Sequence, residues 1–213
     1  GIAQDTTGYL WFATQDGLNK YNGRNFTIYK EQFEDVTRPT YSKLGKVFVD
    51  TKNTLWAITN PGILKYYDPK KEVFQRIQSI DSASIIYEDL NRNIYIGTYG
   101  KGLYTINSKE KDTVQVLGKS ANSLDIFDLI EHENRIWIAG SEGVYQLAED
   151  GHVLDTILKV PNVNFSSFAN NKGEMYAGSF QKGLYIKSDR TSNFKQFLGF
   201  KENDFPPDLV IHD

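Results

Sequence analysis

Few side chains in this sequence can do chemistry, and their spacing narrows the choice further. Histidine occurs three times, at His132, His152 and His212, each in a different stretch and with no pair at metal-ligand spacing. All three fall at or beside turns and read as exposed turn residues. Cysteine is absent, which removes thiolate nucleophiles, thiolate metal sites and disulfides together. The sequence has no glycine-rich phosphate loop, no Gly-x-Ser-x-Gly elbow and no calcium-loop pattern. Acidic clusters at Glu31 to Asp35, Glu131-His132-Glu133 and Glu149-Asp150 read as solvated turns. Glycoside cleavage needs two carboxylates about 5–10 Å apart, and spacing along the chain does not fix such a pair. No catalytic residue, metal site or cofactor is expected, and the chain reads as a non-enzyme.

The chemistry left is recognition. Tyr99-Gly100-Lys101 and Phe180-Gln181-Lys182 each set an aromatic ring beside an ammonium or amide donor. That combination suits a sugar, which offers an apolar ring face to stack and hydroxyls to bond. A long link from Glu31 to Ser42, well above the usual 4–6 residues, carries Arg38 and Tyr41. The candidate ligand-binding residues are therefore Arg38, Tyr41, Tyr99, Lys101, Phe180 and Lys182.

These residues must be positioned by strands. The chain has 213 residues, with 24 Lys+Arg against 27 Asp+Glu, so it lacks the basic excess that a direct nucleic-acid partner requires. Its longest apolar runs are four to six residues, short of the roughly 18–20 that span a bilayer. Aromatic residues make up 14% of the sequence, 13 Tyr, 13 Phe and 3 Trp, and Gly occurs 17 times. No window shows a helical stripe, and this composition favours pleated strands joined by many turns.

The strands repeat. Leu10-Trp11-Phe12-Ala13-Thr14 leads to Gly17-Leu18, and Leu55-Trp56-Ala57-Ile58-Thr59 to Gly62-Ile63. The same pattern returns around Tyr95, Trp137 and Tyr176, so the five central aromatics recur with a period of about 42 residues, and every Trp in the chain occupies this position. Each repeat reads as four short strands, with boundaries near 1–30, 44–78, 83–118, 124–159 and 164–198 and the start of a sixth at 208–213. Asn22-Gly23 reads as a two-residue hairpin turn. Repeats of this length and content predict an all-β fold, a β-propeller of four-stranded antiparallel blades in a single region 1–213. Trp11, Trp56, Tyr95, Trp137 and Tyr176 are expected to be buried blade anchors.

The stretch Gln4-Asp5-Thr6-Thr7-Gly8-Tyr9-Leu10-Trp11-Phe12-Ala13-Thr14, followed by Gly17-Leu18-Asn19-Lys20-Tyr21, resembles the two-component regulator propeller repeat. That repeat orders an Asp, a Gly, a Leu/Ile-Trp-Ile-Gly-Thr run and a Gly-Leu-x-x-Tyr segment. The later repeats depart from it, with Tyr at 95 and 176, Gly140 in the Thr slot of the fourth and Ser179 in that of the fifth. The resemblance implies the periplasmic sensor region of a hybrid two-component protein. Such a region detects oligosaccharides from polysaccharide breakdown and signals to a histidine kinase. The kinase, the membrane anchor and the DNA-binding part would lie outside these residues. Related repeats also occur in secretion-associated surface proteins, so a protein-interaction scaffold is the alternative, and a propeller lyase or glycosidase a third reading.

Strand bookkeeping adds an expectation about assembly. Ile2 to Asp5 and Val210 to Asp213 both align with the first strand of a repeat, so a five-blade ring would have two claimants for one place. This predicts a fragment of a longer propeller, for example one of seven blades, with an open face that favours self-association or a homodimer.

Overall fold

The computed structural model describes residues 1–14, 17–29, 46–59, 62–107, 111–117, 123–148, 154–188 and 193–197. Arg38, Tyr41, His152, His212, the acidic stretches 31–35 and 149–150 and the sixth-repeat segment 208–213 lie outside the described residues. Every regular element among the described residues is a strand.

Twenty strands form five four-stranded antiparallel sheets, each a simple up-and-down meander. The first sheet holds β1 (Ile2–Gln4), β2 (Leu10–Thr14), β3 (Gly17–Tyr21) and β4 (Phe26–Tyr29). The second holds β5 (Lys46–Val49), β6 (Leu55–Thr59), β7 (Ile63–Asp68) and β8 (Val73–Arg76). The third holds β9 (Ala83–Glu88), β10 (Ile94–Thr98), β11 (Leu103–Ile106) and β12 (Thr113–Gln115). The fourth holds β13 (Ile126–His132), β14 (Arg135–Gly140), β15 (Gly143–Leu147) and β16 (Leu154–Lys159). The fifth holds β17 (Phe165–Asn171), β18 (Glu174–Ser179), β19 (Gly183–Lys187) and β20 (Lys195–Gln196). The chain divides into two compact units, 1–83 and 84–213.

The second strand of each sheet carries the repeat aromatic, and packing follows from strand alternation. In β6, Leu55 and Ala57 point to one face and Trp56 and Ile58 to the other, and all five of its residues are buried. Within the first unit, Trp11 and Leu18 of the first sheet pack onto Leu55 and Ala57 of the second, with Tyr29, Tyr67 and Phe74 closing around them. Within the second unit, Tyr95 packs against the cluster containing Ile136 and Ile138, and Trp137 packs with Met175 and Ala177. Burying an aromatic of this size removes about 150–250 Å² from water, worth on the order of 4–6 kcal/mol before ordering entropy is charged.

The aromatic position splits by residue type. Trp11, Trp56 and Trp137 are 1%, 0% and 2% exposed, whereas Tyr95 and Tyr176 are half-buried. Each of the two phenol hydroxyls meets a carboxylate. Tyr176 Oη donates to Glu174 Oε2 at 2.6 Å. The Tyr95 phenol is raised to about 12 by burial and by the nearby Asp89 carboxylate, to which it is hydrogen-bonded.

Each indole N–H also requires an acceptor, and an Asp six residues upstream supplies it twice. Asp5 Oδ2 accepts from Trp11 Nε1 at 2.9 Å, while its Oδ1 accepts from the Thr7 and Tyr9 amides at 3.0 Å each. Asp50 repeats the arrangement, with Trp56 Nε1 at 2.9 Å and the Lys52 and Thr54 amides at 3.0 and 2.7 Å. The carboxylate thus folds its own turn and satisfies the buried indole at the same time. In the fourth sheet the turn is tighter, and the His132 carbonyl takes the Trp137 N–H at 3.2 Å.

Three sequence expectations change. Asn22-Gly23 is not a two-residue hairpin: β3 and β4 are joined by four residues, 22–25, with Tyr21 paired to Phe26. Asn22 does not adopt the positive φ such a turn needs, and its Oδ1 instead accepts from the Arg24 and Asn25 amides at 2.9 and 2.7 Å. His132 is not an exposed turn residue, since its side chain is 11% exposed and lies edge-on to Trp137 at 6.3 Å. Glu131, expected in a solvated turn, is half-buried and accepts from the Leu90 amide at 2.7 Å through Oε2.

Candidate functional site

In the second unit, the turn after each second strand and the entry to each first strand come together. The turn after β10 carries Tyr99 and Lys101, and the turn after β18 carries Phe180 and Lys182. Hydroxyls at the strand ends hold both turns. Thr98 Oγ1 donates to the Gly102 carbonyl at 2.6 Å, and Ser179 Oγ donates to the Gly183 carbonyl at 2.9 Å while accepting the Lys182 amide at 3.0 Å. Both hydroxyl residues are fully buried. The Thr slot of the repeat is therefore a turn lock.

Tyr99 and Phe180 are brought together by a third ring, Phe127. The Tyr99 and Phe127 centroids lie 5.9 Å apart at 64°, and those of Phe127 and Phe180 lie 5.4 Å apart at 78°. The row thus joins the third, fourth and fifth sheets. Tyr99 is 50% exposed, while Phe127 and Phe180 are half-buried. Phe127 occupies a β-bulge, where the register shifts between Ile126 and Asp128. A bulge turns a residue out of strict alternation and re-aims its side chain. β17 has the same bulge at Ser166, between Phe165 and Ser167.

Polar groups brace the row. Asp125 accepts the Ser141 amide through its carbonyl at 2.9 Å and donates its own amide to Ser141 Oγ at 3.2 Å. Asn164 accepts the Phe180 amide through its carbonyl at 3.0 Å and the Glu142 amide through Oδ1 at 3.4 Å. Burial, with the negative charge of Asp125, pushes the Tyr99 phenol up. Gly140, the departure from the Thr slot, is required here: a Cβ would come within 2.8 Å of the Asp125 carbonyl oxygen. Lys101 and Lys182 are exposed, and their carbonyls accept from Gln115 Nε2 at 3.1 Å and Gln196 Nε2 at 2.9 Å.

Of the six sequence candidates, the structure joins Tyr99 and Phe180 in one row and sets Lys101 and Lys182 on the same two turns. Arg38 and Tyr41 lie outside the described residues. Sequence reasoning missed Phe127, Asp125 and Asn164. Among the described residues, no group of three or more His, Asp or Glu side chains could hold a metal ion. The row offers ring faces and edges bordered by amide and carboxylate acceptors.

The sheets and their packing define the fold as a β-propeller. No family model matches the chain. In sequence it is similar to histidine kinase P4 of Formosa agariphila, 53% identical over 36 residues that make up 17% of this chain and 3% of that protein. In structure it is similar to the extracellular domain of a hybrid two-component system of B. thetaiotaomicron, with a TM-score of 0.63 and 16% identity over 98% of this chain. The surface component PorZ of the type-IX secretion system of Porphyromonas gingivalis gives 0.62 with 13% identity over 92% of this chain and 33% of its own. Virginiamycin B lyase of Staphylococcus aureus gives 0.64 with 8% identity over 92% of this chain and 68% of its own. The chain spans 34% of the hybrid two-component domain.

Proposed function

We propose that this chain is a ligand-sensing segment of a periplasmic, membrane-anchored hybrid two-component regulator. It binds an oligosaccharide from polysaccharide breakdown and signals to a histidine kinase elsewhere in the longer protein. The observation that carries this reading is the aromatic row Tyr99–Phe127–Phe180 on locked turns. Aromatic rings stack on the apolar faces of sugars, and nearby acceptors select the hydroxyls. Lys101 and Lys182 add donors beside the row, and Arg38 and Tyr41 are further candidates for contact with the ligand. The similarity to the extracellular domain of a hybrid two-component system of B. thetaiotaomicron supports the sensor role and the location. In this reading the chain binds without catalysing.

The test is titration calorimetry against a panel of oligosaccharides chosen from an immobilised-glycan screen. Tyr99→Ala and Phe180→Ala should each weaken binding about two- to tenfold, as loss of one stacked ring removes roughly 0.5–1.5 kcal/mol, with the melting temperature unchanged. Unchanged affinity in both variants would dismiss the site. A second reading, a scaffold that binds another protein, is favoured by the fold likeness to the PorZ surface component. Retained protein-partner capture with no glycan binding would select it.

A further inference from the structure

We propose that Asn22-Gly23 is a site of self-modification, where the Gly23 backbone nitrogen closes on Asn22 Cγ and the side-chain amide leaves as ammonia. Asn-Gly occurs once in the sequence, and every other asparagine is followed by a residue that carries a side chain. Gly23 leaves the attacking nitrogen unhindered, with open space where a Cβ would stand and a φ of +92° that other residues adopt only with strain. Asn22 Oδ1 accepts from the Arg24 and Asn25 amides at 2.9 and 2.7 Å. Those two donors polarise the carbonyl and face the oxygen on which negative charge develops as the nitrogen adds. The Gly23 N–H and Asn22 Nδ2 make no hydrogen bond among the described residues, so neither nucleophile nor leaving group is tied down.

Residues 22–25 are all exposed, which gives base and water access. The corresponding turn of the second sheet, 69–72, is exposed as well, so exposure belongs to this place in the repeat. That turn has the same cap without the reactive pair. Asp68 Oδ1 accepts from the Lys70 and Lys71 amides at 3.0 and 3.4 Å, but it has no ammonia to release, and Pro69 after it has no N–H. At Asn22 the steps balance. The Gly23 amide loses its proton to hydroxide, and its nitrogen forms a bond to Asn22 Cγ. The Cγ–Nδ2 bond then breaks, and Nδ2 leaves as ammonia with a proton from water. Water opens the resulting cyclic imide at either carbonyl. One opening gives aspartate, which keeps an acceptor for both amides, as Asp68 does. The other gives isoaspartate, whose main chain runs through Cβ and Cγ. That lengthens the link between β3 and β4, disturbing the Tyr21–Phe26 pair and the 3.2 Å bond from the Asn22 amide to the Asn25 carbonyl. The inference rests on this turn and not on the sensor reading.

Peptide mass spectrometry of the folded chain, incubated in warm, mildly alkaline buffer, tests it. The peptide holding Asn22 should gain about 1 Da, at least as fast as in the same chain unfolded in urea and ahead of every other asparagine. Gly23→Ala and Asn22→Gln should each slow the gain roughly tenfold or more, the first by crowding the nitrogen and the second by demanding a larger ring. Circular dichroism checks the fold, and Asn22→Gln serves if Gly23→Ala unfolds. Enzymatic methylation should detect isoaspartate in the aged wild type. An Asn22 that survives in the folded chain while the urea-unfolded chain releases ammonia would overturn the proposal, because the turn would then protect the residue. A mass gain without isoaspartate, or at an unchanged rate in both variants, would overturn it as well, since direct hydrolysis needs neither Gly23 nor a ring.

Discussion

Replacing Asp50 by Ala should destabilise the chain far more than a turn substitution ordinarily does. Asp50 is 2% exposed, and its carboxylate accepts from the Trp56 indole and from the Lys52 and Thr54 amides. Lys52 is exposed, so water can replace the carboxylate at its amide. Trp56 is 0% exposed and Thr54 half-buried, so their two donors lose an acceptor that water does not readily supply. At roughly 1–3 kcal/mol for each buried unsatisfied donor, the loss is about 2–6 kcal/mol, a large share of the 5–15 kcal/mol typical of a domain. Asp50→Asn keeps one oxygen, which serves either the amides or the indole, and should cost about 1–2 kcal/mol. Urea unfolding followed by circular dichroism reads both values. Trp56→Phe removes the indole donor, so its combination with Asp50→Ala should fall short of additivity by about 1 kcal/mol or more. A cost below about 0.5 kcal/mol for Asp50→Ala, or strict additivity in the cycle, would refute the reasoning.

Other outcomes follow from the same structure. Burial alone would raise the Asp5 carboxyl, but hydrogen bonds from Thr7, Trp11 and Tyr9 outweigh it and hold the group below its ordinary 3.8. Its stabilising effect is therefore present above pH 3.8 and lost as pH falls through the lower folded value, and Asp5→Asn should flatten the melting temperature across that acid limb. Gly62→Ala should cost about 2–4 kcal/mol in urea unfolding, because φ is +102° and a Cβ would lie 2.9 Å from the Ser82 backbone. Gly23→Ala, at φ +92° with nothing within 4 Å, should cost only the local strain of about 1–2 kcal/mol. If the two cost the same, close packing at Gly62 plays no part. Phe127→Ala should weaken oligosaccharide binding at least as much as Tyr99→Ala, since Phe127 touches both outer rings of the row. Calorimetry showing full affinity in that variant would remove the row from the site.

Strand identity was legible because the repeat imposes both spacing and alternation. The repeated runs Leu10–Thr14 and Leu55–Thr59 coincide with β2 and β6. The burial of the tryptophans was equally readable, since an indole recurring on a strand apolar on both faces has nowhere else to go. The tyrosines at 95 and 176 share the spacing, but their hydroxyls meet the Asp89 and Glu174 carboxylates, which spacing does not encode. Phe127 was hidden for a related reason. Simple alternation assigns it by counting from Ile126, and only the bulge, a property of the pairing with β14, sets it beside Tyr99 and Phe180. The candidates Tyr99 and Phe180 were visible as rings set beside a donor, whereas their meeting required the register of three sheets. His132 was misjudged because turn position was taken for exposure, while its imidazole packs edge-on to the Trp137 ring.

In every sheet each strand pairs with the strand made immediately before it or immediately after it. During synthesis, a sheet can complete its hydrogen bonding as soon as its fourth strand clears the ribosome, with no need to wait for distant sequence. The Asp50–Trp56 pair would then form early, fixing the indole within its own sheet. Translation order and assembly order coincide in such a chain, and a pause after any fourth strand leaves a finished sheet instead of a half-paired one.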